Sequence, residues 1–320
     1  MRCLMHLLTA GCLVLSCCGC ATERLSAVRA SRSYSRYVMG ALEERVGNIE
    51  EALEHYRAVE DLDQKAPAPH IQLGLSYIRL NKYSKAAVEF QQAVDLTPND
   101  PYARYALALL YVQLGETKKA IDQYQVLLGQ YSDERSVEVQ LRRILSQLYF
   151  LEKDFAEAHD QCAAILKFSP LDEFALYTTA LIYVEEDDVA NAVAAFREVL
   201  TNYPESVQAM NGLAYLYAEK DINLDKALGL AEKAVEADST SGAYVDTLGW
   251  VYFKMGETDR AIALLTKAAR LELDPVIINH LAEAYAKKGL INEAREQWKA
   301  SLALDPTQKD VRRRLKENKP

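Results

Sequence analysis

The chain has 320 residues, half of them hydrophobic, with only 13 Gly and 9 Pro. This excludes a disordered or collagen-like polymer and leaves room for two globular domains or one elongated array. The formal net charge of −9 opposes nucleic-acid binding, which needs a basic footprint to displace counterions from phosphates. Five of the six cysteines, Cys3, Cys12, Cys17, Cys18 and Cys20, lie in the first twenty residues. The body of the chain, with Cys162 alone, can therefore build no disulfide framework.

The first element is an address. Arg2 is a short positive region and Leu4 to Leu15 an apolar stretch. That stretch is too short to cross a bilayer, which takes about 20 apolar residues, but it suits the apolar core of a secretory signal. The small residues and cysteines that follow resemble a bacterial lipobox, which implies cleavage before a cysteine carrying a diacylglyceryl thioether. Cys17 fits that pattern with Val14 in the apolar slot and Ser16 in the small slot; Cys20, with Gly19 before it but Cys17 in the apolar slot, is the alternative. The signal peptide is then 1–16, or up to 19 if Cys20 is the anchor, and 17–32 is the lipid anchor and tether. A lipid-modified cysteine holds a protein on a membrane without a spanning helix. The absence of Asp after either cysteine implies, through the same resemblance, the outer membrane and a periplasm-facing body. An ordinary cleaved signal with incidental cysteines is the competing reading.

From residue 33 onward the chain repeats. Tyr77, Tyr111, Tyr149, Tyr183, Tyr217, Tyr252 and Tyr285 are separated by 34, 38, 34, 34, 35 and 33 residues. A fixed period near 34 marks stacked helical hairpins. With each tyrosine at position 11, position 8 is always small (Gly74, Ala108, Ser146, Ala180, Ala214, Gly249, Ala282). Position 20 is always alanine, from Ala86 to Ala294. Positions 4, 7, 8 and 11 form one helical stripe and 20, 24 and 27 a second. Position 15 is Gly, Asn or Asp, residues that tolerate the left-handed turn ending a helix, except at Lys153. Pro98, Pro170, Pro204 and Pro306 stop second helices. A weaker unit over 33–66 keeps Gly40, Ala52 and Tyr56 but has Glu43 where the tyrosine should be, as befits an outermost repeat with an uncovered face.

This array, over 33–308, resembles the tetratricopeptide repeat. The resemblance implies an all-α fold, a right-handed superhelical solenoid of about eight helix-turn-helix repeats, with 309–320 as a basic C-terminal capping helix or tail. Each helix is marginal alone, so stability must come from stacking and the tyrosines are expected in the core. Cys162 shares a position with Phe90, Tyr124 and Phe196 and is expected to be a small buried hydrophobe. The four extra residues at 135–138 are expected to change the superhelical step and divide the array into two lobes.

Chemistry is mostly missing. There is no phosphate loop and no GxSxG elbow, and His6, His55, His70, His159 and His280 lack metal-ligand spacing. No catalytic residue, metal or cofactor is expected, and the chain does not read as an enzyme. The resemblance implies that the first helix of each hairpin lines a concave groove. Positions 5 and 9 there supply the candidate partner-binding residues Tyr105, Arg143, Gln147, Tyr177, Asn211, Tyr215, Asp246, Trp250 and Asn279. Flat rings offer contact area at low entropy cost and amides bond extended backbone. Only Arg143 gives a cation at position 5 and no Asn stands at position 9, so capture of free carboxyl termini by the family's carboxylate clamp is not expected. The expected function is a lipid-anchored, periplasm-facing scaffold of the bacterial cell envelope, binding envelope proteins or peptides and no nucleic acid. A self-assembling array, and an enzyme with an unrecognised groove site, are the alternatives.

Overall fold

A computed structural model of the chain describes residues 26–318. Among them every regular element is an α-helix. Two compact units divide the chain, one ending at Lys153 and the other beginning at Asp154. The N-terminal unit contains α1 (26–46), α2 (Ile49–Leu62), α3 (Pro67–Arg79), α4 (Tyr83–Leu96), α5 (Pro101–Gln113), α6 (Thr117–Gln130) and α7 (Arg135–Leu151). The C-terminal unit contains α8 (Phe155–Phe168), α9 (Glu173–Glu185), α10 (Val189–Asn202), α11 (Val207–Glu219), α12 (Leu224–Ala237), α13 (Gly242–Lys254), α14 (Thr258–Leu271), α15 (Pro275–Lys287), α16 (Ile291–Leu304) and α17 (Lys309–Glu317). Within each unit, successive helices pack as antiparallel hairpins, and α13 touches both α11 and α15 directly. The fold is the all-α tetratricopeptide solenoid that the sequence implied.

The helix ends follow from position 15. All eight residues there, Gly47, Asn81, Gly115, Lys153, Asp187, Asp221, Gly256 and Gly289, have positive φ. In that conformation the next amide reaches back to the carbonyl of position 11, as Lys82 does to Tyr77 and Glu257 to Tyr252, which satisfies an orphan helix carbonyl. The single extra residue of the fifth full repeat is absorbed the same way, as Asn223 at φ 51° before α12. First helices start on Asp100, Asp172, Ser241 and Asp274, whose side chains accept from backbone amides of the first turn.

The core sits between the two helices of each hairpin. All the position-20 alanines are fully buried, and so are Phe90, Cys162, Ile165, Phe196, Val199 and Leu265 at positions 24 and 27. Cys162 thus has the buried, apolar role expected of it. The small residue at position 8 is a steric requirement at Gly74: a Cβ there would lie 2.6 Å from the Phe90 ring. Tyr77, Tyr149 and Tyr217 are buried, whereas Tyr111, Tyr183, Tyr252 and Tyr285 are half-buried at the edges of the hydrophobic clusters.

Two expectations need correction. The insertion at Arg135–Glu138 does not form a break; it is the first turn of α7, which has 17 residues where α3, α5 and α9 have 13. Glu138, buried, is tied to Arg142 one turn on at 2.8 Å, which makes the added turn helical. The division between units falls beyond it, in the turn from α7 to α8. Residues 26–32, which the sequence placed in the tether, form the exposed start of α1.

Candidate functional site

The first helices carry all nine candidate residues, and the structure sorts them by depth. In the N-terminal unit, Tyr105 on α5 is 43% exposed and stands edge-on to Tyr124, ring centroids 6.0 Å apart. Burial, with Tyr105 adding to it, pushes the Tyr124 phenol up to about 12. On α7, Arg143 is half-buried and Gln147 exposed. The C-terminal unit holds the other six. Tyr177 on α9 is half-buried against Phe196, and Asn211 and Tyr215 on α11 and Asn279 on α15 are half-buried as well.

Asp246 and Trp250, on α13, are not groove residues in the sense expected. They are 5% and 7% exposed. Nδ1 of His280 lies 2.9 and 3.0 Å from the two Asp246 oxygens. A carboxylate can only accept, so Nδ1 carries the proton. The imidazole stacks on the Trp250 indole at 4.0 Å and 15°, and Trp250 stacks on Phe253 at 4.6 Å and 8°. The indole N–H donates to Glu219 of α11. Two carboxylates, one imidazole and two further rings thereby tie α13 to α11 on one side and to α15 on the other. A buried charge is tolerated only with such a partner.

The sequence reading missed His280 and Glu219, at positions 6 and 13, because its candidates came from positions 5 and 9. The signal was present: His280 follows Asp246 by one 34-residue period, which places the two on adjoining first helices.

Near this locked patch two buried polar atoms are unmet. The Oδ1 atoms of Asn211 and Asn279 are buried and accept no hydrogen bond among the described residues. An unsatisfied buried polar group costs about 1–3 kcal/mol, which a donor from outside the chain would recover. Tyr215 lies 6.1 Å from the His280 ring. Burial first, then Glu219, Asp246 and Asp274, raise its phenol above the ordinary tyrosine range. Its hydroxyl is thus held as a neutral donor, one turn along α11 from Asn211. The patch suits a ligand that both gives and takes hydrogen bonds, as an extended peptide does.

Several tyrosines face inward to a second set of bonds. The residue at position 25 of one hairpin reaches the hydroxyl of the next hairpin's tyrosine: Arg57 to Tyr77, Gln91 to Tyr111 at 3.3 Å, Gln125 to Tyr149 at 2.5 Å and Arg197 to Tyr217 at 2.9 Å. Each of these tyrosines therefore has a structural partner for its polar end and stays out of the binding face. In the first hairpin Glu44 gathers Tyr56, Ser76 and Arg79, beside the position where Glu43 replaces a tyrosine.

At the other end α17 covers the last hairpin with Val311 and Leu315 against Trp298. Much of its basic charge is engaged: Arg314 with Glu283, Arg313 with Asp310, and Arg312 with the Pro306 carbonyl. Among the described residues no group of three His, Cys, Asp or Glu could hold a metal, and no helix is long and apolar enough to cross a membrane. Cys17 and Cys20 lie outside the described residues.

Known proteins bear on this geometry. Three family models match: a TPR repeat over 74–115, a tetratricopeptide repeat over 102–133, and a tetratricopeptide repeat over 177–242 and 247–309. Together they cover more than half of the chain. The TPR repeat-containing protein PA4667 of Pseudomonas aeruginosa is 28% identical over 144 residues, which is 43% of this chain and 24% of that protein. This chain thus spans about a quarter of that relative's length. A tetratricopeptide repeat protein of Parabacteroides merdae superposes with a TM-score of 0.67 at 17% identity, covering 80% of this chain and 99% of the other. A chain of the APC/C hetero-tetramer Cut9–Hcn1 superposes with a TM-score of 0.61 at 14% identity, covering 92% of this chain and 56% of the other.

Proposed function

We propose that this chain, which belongs to the tetratricopeptide repeat family, is a lipid-anchored adaptor of the bacterial cell envelope that holds partner proteins on the first-helix face of its array. Tetratricopeptide repeats generally mediate protein–protein interactions, which supports the scaffold reading. The observation that carries the binding half of the reading is the pair of bare, buried amide oxygens of Asn211 and Asn279 on either side of the Asp246–His280 lock. They cost stability as they stand, and are matched by backbone N–H groups of an extended partner segment. The neutral Tyr215 hydroxyl supplies the complementary donor.

The anchoring half rests on residues 1–20 and their resemblance to a lipobox. A single lipid chain binds a membrane only marginally, and stable attachment takes more than one; a diacylglyceryl cysteine meets that need. Confinement near the membrane raises the effective concentration of partners, so each groove contact can be weak. Cys17→Ala should abolish both incorporation of labelled palmitate and membrane retention of the full chain. Retained label in Cys17→Ala together with loss in Cys20→Ala would move the anchor to Cys20. Label retained in the double variant would place the lipid on another residue, and no label in the wild-type chain would remove the lipid from the proposal.

A further inference from the structure

One feature of the N-terminal unit belongs to no repeat consensus. A cleft of about 540 Å3 opens between α5, α6 and α7. Leu127, Leu141 and Ile144 line it, with the rings of Tyr102, Tyr105 and Tyr131. Val137, from the added turn of α7, and Glu134, the N-cap residue of that turn, complete one side. The other first helices from α3 onward, at 13 residues, have no such turn. The four residues that break the period therefore help to build the cleft.

Its chemistry is one-sided. Glu134 is the one charged residue in the lining. It and its neighbour Asp133 are exposed, and neither forms an ion pair among the described residues. Tyr102 and Tyr105 are 54% and 43% exposed, and the faces of such rings carry the negative side of the quadrupole. An anion would meet the Glu134 carboxylate and ring faces and be repelled. A wholly apolar ligand would fill the cleft but leave that carboxylate unmatched. The volume falls within the range of roughly 300–1,000 Å3 typical of ligand sites and takes a large side chain with part of its backbone.

We propose that this cleft docks a segment of a partner protein in which a large apolar side chain stands next to a lysine or arginine. The apolar side chain enters between Tyr105 and Leu141, and the cation lies at the mouth, against Glu134 and over a tyrosine face. The proposal rests on the scaffold reading above and names the chemistry that one of its faces selects.

The test uses the purified full chain and labelled heptapeptides in a Gly-Ser background whose centre is Phe-Lys, Phe-Glu or Ala-Lys, read by fluorescence anisotropy. Phe-Lys should bind more tightly than either other peptide by about tenfold, and Tyr105→Ala should weaken it by a similar factor. Glu134→Lys changes an exposed side chain with no ion pair, so helicity should hold while the preference moves from Phe-Lys to Phe-Glu. No binding of Phe-Lys to the wild-type chain, or equal binding to Glu134→Lys, overturns the proposal. If these peptides fail while a photo-crosslinker at Asn211 still captures a partner, the cleft proposal falls alone. If both fail, the scaffold reading falls with it.

Discussion

The tyrosines show how a repeating residue can be informative about structure and silent about function. Tyr217 is 1% exposed, packs in the main hydrophobic cluster of the C-terminal unit, and receives a hydrogen bond from Arg197 at 2.9 Å. Tyr217→Ala should cost about 3–5 kcal/mol, as large aromatic deletions do. Tyr217→Phe should cost only about 0.5–1.5 kcal/mol, the net worth of one hydrogen bond. Urea unfolding of both variants measures the difference; equal losses would mean that the bond, and not the ring, fixes the residue. The varied residues behave differently. Spacing alone put Asp246, Trp250, Asn211 and Asn279 on one helix face, but depth was out of its reach. Whether a side chain at position 9 is displayed or covered depends on residues at positions 6 and 12 of the same and the next helix. Here His280 and Phe253 sandwich Trp250. The imidazole that pairs with Asp246 is the reason a carboxylate sits inside the array at all.

Helix ends were the best-anticipated features, because position 15 must adopt a left-handed conformation and only a few residues do so cheaply. Lys153 is the exception, at φ 61° with an exposed side chain. Lys153→Gly should raise stability by about 0.5–1 kcal/mol, because the left-handed penalty of a side-chain-bearing residue is removed. Thermal or urea unfolding checks this, and a loss of stability would mean that the lysine side chain makes a contact worth more than the turn. The insertion was legible as a break in period but not as a helical turn. Four residues exceed one turn of 3.6 only slightly, so a helix can lengthen at its start without rotating its apolar stripe far from register. Arg135–Glu138 do this, with Glu138 returning to Arg142. What the period could not show is that the added turn, with Glu134, flanks a cleft.

The array as a whole follows from helices too short to persist alone and small residues placed where neighbouring helices meet. That logic fixes a fold of nearest-neighbour contacts and leaves one helix of every hairpin free to vary. The first helices spend that freedom on polar groups with unmet valence, at Asn211 and Asn279, and on exposed rings at Tyr102 and Tyr105. The second helices offer solvated charge such as Glu232. The central claim is that partners are held on the first helices. It is tested most directly by photo-crosslinking in the native host, with a photoreactive residue placed at Asn211 on α11 or at Glu232 on α12. Asn211 should give a discrete crosslinked partner that is lost when Tyr215→Ala is added, and Glu232 should give none. Equal capture from both positions, or capture from Glu232 alone, would contradict the claim.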